Sequence, residues 1–225
     1  TPLIYAGKRM FDGKRHVWTG WFRNLAGERD SGALEWGGPH QCLPRELYAG
    51  PGGELYARPV DEVTAVFSNT VLDLASLPPE SSAPKWNYDG AVLVGLSERI
   101  GSQQVFDVPA HYMMTASMEL DPGAELTVVL REQLGSGDGY RLVVRPERGE
   151  AEINGPGFSY PRRCFIDTSK PIKIQAFVQG TIIETFINDA YAFSCRAYNY
   201  PKGKLGFNVA GGSVRLLDLQ VKTHE

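Results

Sequence analysis

Apolar and polar positions in the second half of this chain alternate as they do in strands. Ile172 to Val178 and Thr181 to Ile187 are two β-branched runs separated by Gln179-Gly180, and that spacing, with a glycine to supply positive φ, predicts a tight hairpin. Asn188-Asp189-Ala190 then turns the chain into Tyr191 to Tyr198, so a three-stranded meander follows. Side chains alternate with period two, which sets Ile182, Glu184 and Phe186 on one face and Ile183, Thr185 and Ile187 on the other. The same alternation recurs in Met114, Ala116, Met118 and Leu120, in Leu126, Val128 and Leu130, and in Tyr140, Leu142 and Val144. It returns in Leu205, Phe207 and Val209 and, after Gly211-Gly212, in Leu217, Leu219 and Val221. Helical periodicity is nearly absent, and the 25 Gly and 15 Pro fall mostly between these short runs. The expectation is an all-β chain in which the residues from about 86 to the end form an antiparallel two-sheet β-sandwich.

Composition narrows the picture. At 225 residues, 42% hydrophobic and 22% charged, the chain can bury one good core or two small ones and is no disordered segment. A net charge of -3 leaves no electrostatic footprint for nucleic acid, and no apolar run approaches the roughly 20 residues that span a bilayer. Neither nucleic acid nor membrane is expected as a partner. Cys42, Cys164 and Cys195 are odd in number, widely spaced and free of any CxxC pattern, and His16, His40, His111 and His224 are equally scattered. They read as buried or half-buried thiols and surface or loop histidines, with one disulfide plus one free thiol left open, and no metal or cofactor is expected. The chain opens on Thr1-Pro2 without Met, basic leader or apolar leader, so it is expected to be a piece of a longer protein.

Three short motifs follow one another early in the chain: Tyr5-Ala6-Gly7-Lys8, then Trp18 with Trp21, then Leu43-Pro44-Arg45-Glu46-Leu47. In that order they resemble the YASK-like, WGW-like and LPREL-like strands of glycoside hydrolase family 32, the invertase, inulinase and fructanase family. Gly7 stands where that family has a small hydroxyl residue, and one extra residue separates the tryptophans. A second resemblance lies in Lys170 to Asp189, which is similar to the family's C-terminal sandwich signature of an apolar strand, a DGS-like turn and a strand with E-x-F-x-N. Gly180, Thr181, Glu184, Phe186 and Asn188 fit it, and Gln179 replaces the usual Asp. Residues 63 to 110 match weakly, and Leu77 to Pro84 reads as a loop. The resemblance implies that Leu3 to about Val60 gives strands resembling the closing blade of a five-bladed β-propeller, followed by a sandwich of the concanavalin A-like, jelly-roll type. The expected division is 1–62 and 63–225.

The same resemblance bears on chemistry. Retaining glycosidases need two carboxyl groups about 5 to 5.5 Å apart, and the family carries them in WMNDPNG-like and EC-like motifs, with a third acid in an RDP-like motif. This sequence contains no Asn-Asp-Pro, no Arg-Asp-Pro and no Glu-Cys. Arg29-Asp30-Ser31 lacks the proline, and Asp121-Pro122-Gly123 lacks the preceding aromatic and Asn and reads as a turn. Glu184 is assigned a structural hydrogen bond, Arg45 a structural ion pair or a blade cap, and no residue is expected to be catalytic. What the resemblance implies for this chain is a set of substrate-binding residues: Tyr5 and Lys8 beside the acid/base glutamate of the missing part, and Trp21 against the sugar. Packing between blades is the other reading of the tryptophans. Without the other blades, Ile4, Met10, Val17, Trp18 and Trp21 should be exposed. The function implied is the C-terminal portion of a β-fructosidase acting on sucrose, inulin or levan, secreted or periplasmic and inactive by itself. Its partner would be the missing N-terminal propeller half or an oligomer partner, with carbohydrate as ligand. The alternative is a free-standing, non-catalytic sandwich that binds carbohydrate or protein.

Overall fold

The computed structural model describes residues 4–23, 40–78, 83–97, 102–133 and 138–224. Arg29-Asp30-Ser31 and part of the Leu77 to Pro84 loop lie outside these residues. The chain begins with a small antiparallel sheet of β1 (Ile4–Phe11), β2 (His16–Phe22), β3 (His40–Gln41), β4 (Arg45–Ala49) and β5 (Leu55–Pro59), in the order β1-β2-β4-β5 with β3 beside β2. Strands that neighbour one another in sequence and in space make it an up-and-down meander like one propeller blade. A single helical turn, α1 (Asp61–Ala65), leads out of it.

Next come β6 (Asn69–Asp73), β7 (Trp86–Tyr88), β8 (Leu93–Ser97), β9 (Ser102–Phe106), β10 (Tyr112–Leu120), β11 (Glu125–Glu132) and β12 (Tyr140–Arg145). They are followed by β13 (Glu150–Gly155), β14 (Phe158–Arg163), β15 (Ile172–Gln179), β16 (Ile182–Ile187), β17 (Tyr191–Arg196), β18 (Lys204–Ala210) and β19 (Gly212–Thr223). One antiparallel sheet runs β17-β16-β15-β10-β19-β8-β7, with β6 also on β19, and the other runs β14-β13-β12-β11-β18-β9. Their facing sides make a continuous core that includes Met114, Met118, Leu126, Val128, Leu142, Val144, Ile174, Ile183, Phe207 and Leu219. The two-sheet sandwich expected from alternation is therefore present.

Two registers differ in detail from the sequence reading. Gln179 pairs with Ile182, so the hairpin turns on Gly180-Thr181, one position later than expected. Gly180 has φ +53, and the turn settles where the glycine occupies the left-handed position. In β19, Ser117 of β10 faces Asp218 while Met118 faces Leu216, so Leu217 is the extra residue of a β-bulge. The core therefore takes Val214 and Leu216 before the bulge and Leu219 and Val221 after it, and Leu217 drops out of the row it was expected to share. Asp121-Pro122-Gly123 is the β10–β11 turn, closed by Ala124 N–H donating to Asp121 O at 2.9 Å.

The sandwich is covered on more than its inner side. Met113, Phe177, Phe186 and Ala192 point away from the core and form a second apolar cluster with Leu43, Ala57, Val63 and Phe67, which come from the small sheet and the α1 region. β16 is thus buried on both faces, with Ile183 at 0% and Phe186 at 1% exposure. All three cysteines are free and buried, and burial pushes the Cys164 thiol up to about 11 and raises those of Cys42 and Cys195.

In urea titrations Ile183→Ala and Phe186→Ala should each lose about 2 to 5 kcal/mol, because each leaves a cavity in a packed cluster. A small loss for Phe186→Ala beside a large one for Ile183→Ala would mean that the outer cluster is loosely packed. With a disulfide-based thiol reagent at about pH 8, where an ordinary thiol near pKa 8.5 reacts readily, none of the three cysteines should react before the chain unfolds. A fast stoichiometric reaction in the native state would contradict their burial.

Candidate functional site

β1 and β2 carry the residues on which the sequence reading centred. In register, Tyr5 faces Trp21 and Lys8 faces Thr19, so Ala6 and Gly7 together stand opposite the single residue Gly20. This is a β-bulge, and Ala6 takes φ +50 to make it. The consequence is geometric. Residues three apart on a regular strand point to opposite faces, whereas the bulge lets Tyr5 and Lys8 share one face with Trp21 and Thr19. Gly7 is needed for a second reason, since a Cβ there would stand 2.6 Å from Nε1 of Trp18.

The shared face is open. Tyr5 is 48%, Trp21 43% and Met10 62% exposed, and Lys8 is exposed beside them. Exposure of Met10 and Trp21 matches the expectation. Ile4, Val17 and Trp18 are only half-buried, contrary to it. Ile4 and Trp18 lie on the opposite face of the sheet, where they pack around Phe22 and Cys42 together with Tyr160 and Ile182 of the sandwich. Val17 stands between Met10 and Glu46 in register.

The opposite face holds a buried ion pair. The guanidinium of Arg45, paired in register with Trp18, donates to Glu184 Oε2 in a buried ion pair and to Ser194 Oγ at 2.7 Å. The other carboxylate oxygen, Glu184 Oε1, accepts the backbone N–H of Leu43 at 2.6 Å. The guanidinium carbon lies 5.7 Å from the Trp18 ring centre and 5.3 Å from that of Phe186. Arg45 has thus found its ion pair, and Glu184 its hydrogen bonds, in each other. Sequence reading named both residues and missed that they meet. A signal was available for Glu184, the one charged residue amid apolar neighbours in its strand, but not for Arg45, which is followed directly by Glu46.

Cys42 carries this anchorage to the open face. Its N–H donates to Gly20 O at 2.8 Å, its Sγ accepts Gly20 N–H at 3.1 Å, and its carbonyl accepts Thr19 Oγ1 at 3.2 Å. Gln41 Nε2 donates to Thr19 Oγ1 at 3.0 Å. A run of direct contacts therefore joins Glu184 in the sandwich to Thr19, which sits between Lys8 and Trp21 on the exposed side. Glu46, aligned with Val17, is tied to Arg58 at 2.9 Å. Among the described residues no group of three His, Cys, Asp or Glu comes together in a way that could hold a metal ion.

No family model and no curated protein matches this sequence. Solved structures match its fold. Fructan 1-exohydrolase IIa from Cichorium intybus aligns with a TM-score of 0.69 over 99% of this chain and 48% of that one, at 19% identity. A family 32 β-fructofuranosidase from Bombyx mori aligns with a TM-score of 0.66 over 99% of this chain and 40% of that one, at 14% identity. The carbohydrate-binding module CBM66 from Bacillus subtilis aligns with a TM-score of 0.51 over 58% of this chain and 86% of that one, at 12% identity. The chain has the fold of part of the family 32 hydrolases and spans less than half the length of the two enzymes it matches.

Removing one member of a buried ion pair strands the other. Arg45→Met and Glu184→Leu should each cost about 3 to 5 kcal/mol, and the double variant should cost less than either single change. The check is a double-mutant cycle from urea denaturation, and additive losses would show that the two side chains do not depend on each other.

Proposed function

We propose that this chain is the C-terminal part of a family 32 glycoside hydrolase acting on β-fructosides, and that its small sheet closes a propeller whose other blades precede Thr1. The observation that carries the reading is the bulge at Ala6-Gly7, which gathers Tyr5, Lys8 and Trp21 on one exposed face while the opposite face is locked to the sandwich. The likeness in fold to fructan and sucrose hydrolases over nearly the whole of this chain supports it. In this reading residues 1–62 belong to the propeller and 63–225 to the sandwich, with α1 at the joint. Carbohydrate is the ligand and the upstream half is the partner.

The roles follow from side-chain chemistry. The Trp21 ring offers an apolar face to the CH groups of a sugar, as aromatic walls do. Lys8 places a positive charge beside the acid/base carboxyl supplied by the missing part, and a nearby cation favours its ionised form. Tyr5, opposite Trp21 in register, adds a hydroxyl that both donates and accepts. A retaining mechanism needs two carboxyl groups about 5 to 5.5 Å apart, and Glu46, the acid aligned with Val17, is tied to Arg58. In this reading the two carboxyl groups come from the upstream half, and the chain alone breaks no glycosidic bond.

Residues 1 to 225 alone should release no fructose from sucrose, inulin or levan, and adding the upstream half, fused or as a separate chain, should give turnover. Within the active pair, Trp21→Ala should raise KM about 10-fold or more with the fold unchanged, since binding surface is lost. Turnover by the purified chain alone would reveal an active site of its own. Absence of turnover from both preparations would favour the free-standing carbohydrate-binding sandwich, a reading that the likeness to the CBM66 module supports.

A further inference from the structure

The outer face of the β10-bearing sheet is divided in two. One half is the apolar cluster under the small sheet and α1, and the other half is polar and forms a pocket of about 210 Å³. Its side chains come in cross-strand rows. Ser117 of β10 faces Lys173 of β15 on one side and Asp218 of β19 on the other, and one step along the strand Thr115 faces Gln175 and Gln220 in the same way. Phe186 and Asp189 close one wall. Asp218 belongs to this face because of the bulge at Leu217. Val214 and Leu216 point into the core, so unbroken alternation would send residue 218 inward as well.

The rows leave their polar side chains unpaired with one another, although cross-strand pairs of opposite charge stabilise a sheet where they form. Here Lys173 and Asp218 are two strands apart, roughly 9 to 10 Å at ordinary strand spacing, with only the short Ser117 between them. Among the described residues, the side chains of Lys173, Ser117, Thr115 and Asp218 make no hydrogen bond or ion pair. Gln175 is held by its amide nitrogen, which donates to Thr64 Oγ1 at 3.3 Å, so the floor of the pocket is fixed to α1. The result is a set of a cation, a carboxylate and two hydroxyls, spaced too widely to satisfy one another, whose backbone positions on three adjacent strands are better defined than on loops.

We propose that this pocket is a binding site for a neutral oligosaccharide, separate from the exposed face of the small sheet. A sugar ring carries several hydroxyls, each able to donate and to accept. It can therefore bridge Lys173 to Asp218 across Ser117, with an acceptor toward the ammonium and a donor toward the carboxylate. A simple anion would meet Asp218 and Asp189, and a simple cation would meet Lys173. The site stands independently of the propeller reading, since all its residues lie in the sandwich or at its joint with α1.

The test is calorimetric and NMR titration of the 225-residue chain with three probes: inulin-derived fructo-oligosaccharides, cello-oligosaccharides and malto-oligosaccharides. At least one should bind saturably at about 1 mM or tighter, with the amide shifts centred on Thr115, Ser117 and Lys173. Asp218→Ala and Ser117→Val should each weaken that binding at least tenfold with unchanged circular dichroism, and Trp21→Ala should leave it intact. No saturable binding of any probe would overturn the site while leaving the proposed hydrolase reading to its own assay. Binding that is lost in Trp21→Ala and unaffected by Asp218→Ala would also overturn it, by locating the sugar on the small sheet.

Discussion

The buried contact between Arg45 and Glu184 governs how the two parts of the molecule sit on each other. Taking two charges out of water costs several kcal/mol per ion, and their attraction repays this only when the remaining donors and acceptors are satisfied. Here Leu43 N–H takes one carboxylate oxygen, Ser194 Oγ accepts from the guanidinium, and the rings of Trp18 and Phe186 both lie within about 6 Å of it. The pair thus comes with most of its polar partners built in, and they are drawn from both parts of the chain. Three elements of the small sheet are tied to it: β4 through Arg45 itself, β2 through the Arg45–Trp18 register, and the β2–β3 region through Cys42.

Irregularities in the strands decide what each face presents. The bulge at Ala6-Gly7 puts Tyr5 and Lys8 on the side of Trp21, and the bulge at Leu217 turns Asp218 out of the core. A third, at Arg131 with φ +59, sends a guanidinium into the end of the sandwich, where it donates to Gly180 O and to Tyr200 O at 2.8 Å. Burial lowers the pKa of that group below the ordinary arginine value, and carbonyl oxygens serve as its described hydrogen-bond acceptors. In each case one extra residue changes the aim of a charged side chain, as bulges beside functional surfaces commonly do.

This explains what was legible in the sequence. The sandwich was, because runs such as Leu126, Val128, Leu130 and Leu205, Phe207, Val209 keep strict period two along strands that are regular at those positions. The meander of β15, β16 and β17 was legible because Gly180 and Asn188 mark its turns, and Asn188 fastens the second by accepting Lys173 N–H at 2.8 Å through its side chain. The bulges were not, since a bulge is set by how two strands align and leaves no period in either one. Burial of Phe186 was hidden for a related reason: alternation assigns a face, and only the arrival of Leu43, Ala57, Val63 and Phe67 from elsewhere covers it. The motif residues Tyr5, Lys8 and Trp21 could be named in sequence, whereas their common side depended on the unseen bulge.

The second apolar cluster has a consequence for descent. A sandwich whose outer face carries Met113, Phe177 and Phe186 cannot be passed as a free cassette from one gene to another without bringing a cover for them. The small sheet and the sandwich are in that sense one heritable unit, and the stretch around α1 that joins them belongs to it through Val63 and Phe67.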